Sequence, residues 1–389
     1  MRVLHCIASI QSSYGGPVAV LRGLCQGLTR FGVSSTILSC SSGDLSCDQK
    51  SVLAFSDAAF LWSHPLVKRF YWEPFLTKKL TNELKTFDLL HVHGVFSGLT
   101  SGACKAARNA GIPYILEPFG TLSPYALGKS QWLKRLRLFL GERANIEGAA
   151  SLFFTSQEEL QRARLNFRIR SSFVTPNGLD WSEFERLPSP GPFRKDYAIG
   201  QDEKIFLFLG RLHPIKGLEV FIPAFIHWRR SQLHSKWRLA LIGPDEAGYR
   251  KKIDKLILDL RGNDMVFCAG PLYGRDRIQA LVDSTVVVLP SFHENFGIAA
   301  VEGMACGKPV LVSDHVDICE VVRDFNLGEV APLSMEGMAG ALGRIVMRQN
   351  EWSRIGERAR IWAKENCDWV RISEIVFHAY EEILSKNQG

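Results

Sequence analysis

The chain has no C-x-x-C pair, and its nine cysteines follow no repeated spacing over 389 residues. An odd, scattered set argues against a disulfide framework and for reduced thiols in a cytosolic protein. No apolar run approaches the roughly 18 residues of a membrane span. The opening stretch Met1–Ile7 is apolar only briefly and runs into a polar, glycine-bearing loop, so it reads as a first buried strand rather than a signal peptide. Zinc-finger spacing and RNA-binding signatures are missing, which makes nucleic acid the least favoured partner. No D-x-D motif stands where a nucleotide-bound divalent ion would be held; Asp314 and Asp317 are three apart and read as loop residues. Internal repeats and low-complexity tracts are missing too.

What remains is an ordinary globular composition, 46% hydrophobic and 22% charged. The length suits two α/β domains, each with its own core. The net charge of +7 is uneven: residues 1–177 hold 20 Lys and Arg against 11 Asp and Glu, the remainder 27 against 29. A basic first half is either a solubility surface or a face for an anionic partner such as acidic lipid or a lipid diphosphate.

Short apolar runs alternate with helical patterns. Arg2–Ala8, Ser35–Ser39, Leu89–His93, Tyr114–Glu117, Leu152–Thr155 and Ser172–Thr175 read as strands of the first half. Lys204–Leu209, Trp237–Ile242, Val266–Ala269, Val286–Leu289, Pro309–Val312 and Gly328–Val330 read as strands of the second. Such alternation predicts two doubly wound parallel sheets. Pro188, Pro190, Gly191 and Pro192 place the boundary within 180–200, giving domains at 1–180 and 181–368. A helix at 369–389 is expected to pack back on the first domain.

The most informative segment is Ser291–Leu311. Glu294 and Glu302 are separated by seven residues, with Asn295-Phe296-Gly297 after the first. A helix from near Phe296 to Met304 would set both carboxylates toward one cleft, about two turns apart. Its N-terminus offers unpaired N–H groups to a phosphate. Carboxylates take hydroxyls rather than phosphate, and hydroxyls flanking a pyrophosphate describe a nucleotide-sugar. Arg211 and Lys216 follow the first strand of the second half, at the sheet edge where ligands bind in this architecture. Two cations there would neutralise a leaving diphosphate without a metal. The loops holding Pro244 and Pro271-Leu272 follow neighbouring strands and could wall a base pocket. In the first half, Gly15-Gly16-Pro17 follows the first strand and opens a helix.

His91 and His93 are expected on opposite faces of their strand, one buried and one at the cleft, which argues against a shared metal. Glu117 reads as a loop anchor or a polar contact in the cleft, with Phe119 and Tyr125 on the loop after it. Lys129–Arg143 repeats Trp132, Leu133, Leu136, Phe139 and Leu140 at helical spacing among five cations. It is either a domain helix packed on its own sheet or a basic amphipathic helix for an anionic membrane. Lys68–Trp72, with Lys78 and Lys79, is a second basic-aromatic patch.

Together these motifs resemble the retaining glycosyltransferases of family 4, with the two-domain GT-B fold, across nearly the whole chain. The matching residues are Gly15-Gly16-Pro17, Thr155-Ser156 with Glu158, Pro176–Asp180, Gly210-Arg211-Leu212 with Lys216-Gly217, Glu294 with Glu302, and Gly307–Val310. The segment Pro118–Leu127 looks like the acceptor-domain loop of the branch that assembles bacterial surface polysaccharides, with Phe119 where many members carry histidine or arginine.

The resemblance implies that the second domain binds a nucleoside-diphosphate sugar, GDP-mannose or a UDP-hexose, as co-substrate, with no cofactor. Arg211 and Lys216 would hold the diphosphate, Glu302 the ribose hydroxyls and Glu294 the hexose. Asn295, Phe296, Gly297 and Ile298 would place sugar and phosphate by their backbone. Gly15, Gly16, Pro244, Pro271 and Leu272 would complete the donor site. His93, Glu117, Phe119 and Tyr125 would lie on the acceptor side. Retention without a clear nucleophile on the opposite face implies front-face departure and attack. The expected enzyme is a monomeric hexosyltransferase using a glycan or lipid-linked acceptor, in the cytoplasm or peripherally on the inner membrane face. A soluble acceptor, a silent nucleotide-sugar scaffold, an epimerase and a phosphorylase are the alternatives.

Overall fold

The computed structural model describes residues 1–11, 16–40, 58–62, 74–128, 131–232 and 236–387. Gly15, Lys68–Trp72 and Lys129 lie outside the described residues. The chain forms two compact units, Met1–Gly178 with Trp369–Gly389, and Leu179–Asp368. The change of unit thus falls at Gly178, ahead of the proline-rich segment, and the chain returns to the first unit at Trp369.

Among the described residues, unit 1 carries seven parallel strands: β1 (Arg2–Ser9), β2 (Ser34–Cys40), β3 (Ala58–Trp62), β4 (Leu89–His93), β5 (Tyr114–Glu117), β6 (Ser151–Phe154) and β7 (Ser172–Val174). Their order is β3-β2-β1-β4-β5-β6-β7. β3, absent from the sequence reading, is an edge strand paired to β2. Its run Ala-Ala-Phe-Leu-Trp is only five residues and opens on two alanines, which are depleted in strands.

Alternation sorts the strand residues onto two faces. Leu4 and Cys6 join Leu90, Val92 and Leu116 in one core cluster. Val3, Leu89, Ile115 and Phe153 face the other way, against Leu24, Leu28 and the C-terminal helix residues Ile372, Val376 and Tyr380. The C-terminal helix, Trp369–Asn387, therefore completes the core of unit 1. It lies very close to helix Gly16–Leu28: a Cβ on Gly23 would stand 2.1 Å from the Trp369 ring, and one on Gly27 1.9 Å from Ser373 Oγ. Glycine at those two positions permits the approach.

Unit 2 carries six parallel strands: β8 (Lys204–Leu209), β9 (Trp237–Ile242), β10 (Val266–Gly270), β11 (Val286–Leu289), β12 (Val310–Ser313) and β13 (Gly328–Ala331). Their order is β10-β9-β8-β11-β12-β13. Ile205, Leu207 and Leu209 pack with Ala300, Val301 and Met304 on one face. Phe206 and Phe208 pack with Phe221, Phe225 and Trp237 on the other. Burial on both faces explains why these strands read as continuous apolar runs. The order reverses between β8 and β11, so the loops leaving these two strands flank a topological switch point, where open α/β sheets bind ligands.

Lys129–Arg143 is not one helix. The described part runs as a helix at Gln131–Arg137, a π-turn at Leu138–Glu142 with Gly141 at φ 127°, and a short helix at Arg143–Glu147. It does not pack its apolar side on the sheet: Trp132, Phe139 and Leu140 are 73%, 87% and 71% exposed. Among the described residues, no helix is long and apolar enough to cross a membrane.

Candidate active site

The loop after β8 holds Arg211 and Lys216. His213 caps the short turn Pro214–Lys216 by accepting from the Ile215 N–H at 3.1 Å. Gly217 then takes φ +69°, and a Cβ there would stand 1.8 Å from the Pro290 carbonyl oxygen. Only glycine allows the loop to lie this close to the end of β11. The two loops are also stitched by the Phe292 N–H, which donates to the Ile215 carbonyl at 2.8 Å. This places Lys216 Nζ on Glu294 Oε2 as a half-buried ion pair. Ser291 Oγ lies 3.4 Å from the same carboxylate oxygen.

The expected geometry of the two glutamates is corrected here. The helix starts at Ile298, not Phe296, with Gly297 at its N-cap in the left-handed region at φ +91°. Glu294 precedes the helix with either start and lies on a stretch bridged to Val316. Only Glu302 is helical, so helical spacing does not align the pair. A Cβ on Gly297 would meet Val316 Cγ1 at 2.9 Å, and this crowding holds the N-terminus against the next strand's loop.

Glu302 is nearly buried and paired with Arg277, Nη1 to Oε1 2.9 Å. Arg277 also reaches Glu183, Nη2 to Oε2 2.5 Å. Burial raises the Glu302 pKa, with Arg277 opposing the rise and Glu183 adding to it. The sequence reading missed Arg277, which sits in an unremarkable helical pattern, Gly274–Asp283, far from the motif in sequence. The carboxylate of Glu302 is held in place and keeps lone pairs for a hydroxyl ligand.

The remaining donor-side residues occupy the same sheet edge. Gly210 N–H donates to the Ile242 carbonyl and Gly243 N–H to the Gly270 carbonyl, both at 2.9 Å, which keeps the three loops adjacent. Pro244 and Pro271 are exposed and Leu272 half-buried. Arg211 is exposed and pairs with Glu246 at 2.6 Å. Asn295 and Ile298 are half-buried and Phe296 is buried. Lys308, in the Gly-Lys-Pro-Val motif, donates its amine to the Val282 carbonyl at 2.6 Å and serves the fold instead of the site. In unit 1, Gly16 opens helix Gly16–Leu28, with no heavy atom of the described residues within 4 Å of a would-be Cβ.

The acceptor-side expectations divide. Tyr125 is 46% exposed, and Phe119 is half-buried with φ +50°. His93 and Glu117 have no exposed surface and hydrogen-bond each other, Nδ1 to Oε2 2.8 Å. They are interior groups, not surface contacts. His91 and His93 share one face of β4, their rings stacked with centroids 4.3 Å apart. The expectation of opposite faces is wrong because strand side chains alternate, so residues two apart return to the same side. The loop Pro118–Leu127 is anchored by Glu159, not by the motif's Glu158. Glu159 accepts from the Gly120 N–H at 2.6 Å and from the Thr155 N–H and hydroxyl at 2.9 Å. Ser156 caps the helix that carries it.

Two family patterns cover the chain in sequence. Residues 14–183 match Glycosyltransferase Family 4, and residues 192–362 match Glycosyl transferases group 1. The chain is 24% identical over 311 residues to a D-inositol 3-phosphate glycosyltransferase of Saccharomonospora viridis, covering 78% of this chain and 72% of that one. It is 27% identical over 211 residues to a lipopolysaccharide 1,2-N-acetylglucosaminetransferase of Salmonella typhimurium, covering 52% and 54%. The structure is similar to Anabaena Alr3699/HepE in complex with UDP and glucose, with a TM-score of 0.79 at 19% identity over 98% of this chain and 100% of that one. With both halves matched and the two-sheet architecture shared, the chain belongs to the family 4 glycosyltransferases and has their GT-B fold.

Proposed function

We propose that this enzyme moves a hexose from a nucleoside-diphosphate sugar, GDP-mannose or a UDP-hexose, to a glycan or lipid-linked acceptor, with retention at the anomeric carbon. The observation that carries the donor part is the convergence of Lys216, Glu294 and the helix opening at Gly297 on the β8/β11 switch point. Lys216, Arg211 and the first N–H groups of helix Ile298–Ala305 offer positive charge where negative charge grows on a leaving diphosphate. Arg211 would exchange Glu246 for phosphate oxygens. Lys216 would likewise leave Glu294, freeing that carboxylate to hold hexose hydroxyls. Glu302, oriented by Arg277, would accept from the ribose hydroxyls. The bond between the anomeric carbon and the diphosphate oxygen breaks, and the acceptor oxygen bonds to the same face of that carbon. The acceptor proton passes to the leaving phosphate oxygen. Two protein cations do the charge work, so this reading requires no cofactor.

A lipid-borne acceptor at the inner membrane face is supported by the exposed Trp132, Phe139 and Leu140, set among Lys134, Arg135 and Arg137. Exposed aromatics with flanking cations suit an anionic bilayer surface. A soluble acceptor is the second reading, supported by the inositol phosphate in the name of the relatives and by the same cations, which would suit a phosphorylated sugar. The enzyme is taken as a monomer in either case.

The test is nucleotide release from a panel of nucleoside-diphosphate sugars, offered with D-inositol 3-phosphate or with a lipid-linked acceptor extract. Turnover with one donor, lost in Lys216→Ala and Glu294→Gln, supports the donor site. The acceptor that sustains turnover, and the anomeric configuration of its product, decide the rest.

A further inference from the structure

Three histidines meet inside unit 1: His5 on β1 and His91 and His93 on β4, all with no exposed surface. β1 and β4 are paired in register, His5 opposite His91, so alternation sends all three rings to one face of the sheet. One ring nitrogen from each lies within 4.8 Å of the other two.

The outward nitrogens are held. Glu117 Oε2 stands 2.8 Å from His93 Nδ1, and Tyr380 Oη 2.7 Å from His91 Nδ1. Ser35 Oγ is 3.5 Å from His5 Nε2. The inward nitrogens are left for one another. His5 Nδ1 and His93 Nε2 are 3.1 Å apart, and His91 Nε2 has no hydrogen-bond partner among the described residues. A buried polar atom without a partner is costly, and a shell of carboxylate, phenol and hydroxyl behind three imidazoles is how metal-bound histidines are oriented. Two imidazole nitrogens on one tetrahedral ion, each about 2.0–2.1 Å from it, stand roughly 3.3 Å apart.

We propose that His5, His91 and His93 form a buried site for one divalent transition ion, zinc above all, that clasps β1 to β4 beneath the C-terminal helix. Imidazole donors select ions of the zinc, copper and nickel type over magnesium or calcium. The site lies in unit 1, and its role is structural.

The test uses the untagged full-length chain, stripped with chelator, then offered cobalt(II) or zinc(II) both when folded and during refolding, because the site is closed. The expected result is one equivalent of ion per chain, a tetrahedral cobalt ligand-field band, and a higher Tm than the stripped protein. His91→Gln and His93→Gln should abolish the band, while His378→Gln, an exposed residue of the C-terminal helix, should keep it. Glu117→Gln retains all three ring nitrogens and should weaken binding by about 10- to 100-fold. Failure of the wild-type chain to bind either ion after refolding to native circular dichroism would overturn the proposal. So would a cobalt band unchanged in both histidine variants. If those variants do not fold, the wild-type stoichiometry and the Glu117→Gln affinity still decide it.

Discussion

Lys216 and Glu294, 78 residues apart in sequence, are joined by an ion pair through Nζ and Oε2, with side chains only 13% and 22% exposed. Each is thereby the other's partner until a ligand replaces it. A diphosphate would take the lysine and a hexose hydroxyl the carboxylate, so donor binding exchanges one charged contact for two. Lys216→Ala should lower kcat with any accepted donor by roughly 10²–10³-fold, the scale of losing one preorganised charge contact in a transition state. Glu294→Gln should lower kcat while keeping nucleoside-diphosphate binding. Steady-state kinetics beside a thermal-shift titration with the free nucleotide separate the two.

Arg277 positions Glu302 and should matter to the donor without touching the reacting atoms. Arg277→Ala leaves a nearly buried carboxylate without its cation, which costs about 3 kcal/mol when a buried pair is broken. The expected outcome is a lower Tm together with a raised donor KM and a much smaller change in kcat. An equal fall in kcat and unchanged KM would place Arg277 elsewhere in the chemistry.

Gly217 is required twice, by φ +69° and by the Pro290 carbonyl 1.8 Å from a would-be Cβ. Gly217→Ala should destabilise unit 2 by at least about 2 kcal/mol, combining left-handed strain with overpacking. It should also shift the Lys216 turn, so donor affinity falls with Tm. Differential scanning calorimetry with and without nucleotide reads both.

The buried histidines make stability depend on acid. Their folded-state pKa values lie below the ordinary 6.5, His93 pushed down to about 3. Below 6.5 the unfolded chain therefore binds more protons, and stability falls as pH drops from 6.5 towards 3, by about 1.4 kcal/mol per pH unit for each proton taken up. Glu117 and Glu302 act in the opposite sense, because burial raises their pKa values and stability is lost as pH rises through the range above the ordinary carboxylate value. With three rings against two carboxylates, acid should win below about pH 5.5, where nearly every ring of the unfolded chain carries its proton. Urea midpoints between pH 4 and 8 should show this in the stripped protein, and Glu302→Gln should steepen the net loss towards acid.

Trp132, Phe139 and Leu140 lie on the surface, so replacing all three with serine should leave Tm almost unchanged, exposed substitutions being worth about 0.5 kcal/mol or less each. The same variant should no longer float with anionic vesicles. Flotation equal to wild type would remove the membrane from the proposed function.

Much of the architecture was legible in the residues. Val286–Leu289, Phe206–Leu209 and Leu239–Ile242 are apolar on both faces, and such runs belong to parallel sheets covered on both sides. Glycine marked the turns at Gly217 and Gly297, where a left-handed backbone and a close neighbour together leave no room for a Cβ. Less was legible at β3, a short edge strand that opens on two alanines, and along 131–147, where Gly141 breaks the helical period that the apolar residues suggest.

By itself, then, the sequence determined the alternating strands and helices, the two cores and the loops that carry Arg211, Lys216, Glu294 and Glu302, because periodicity and glycine conformations are local properties. Only the tertiary structure decided who meets whom. It set Lys216 on Glu294, Arg277 on Glu302, Glu159 under the Pro118–Leu127 loop and His5 beside His91 and His93. Those partners come from strands, helices and loops distant in the chain, and their meeting follows from how the elements are ordered and packed, which no local pattern encodes.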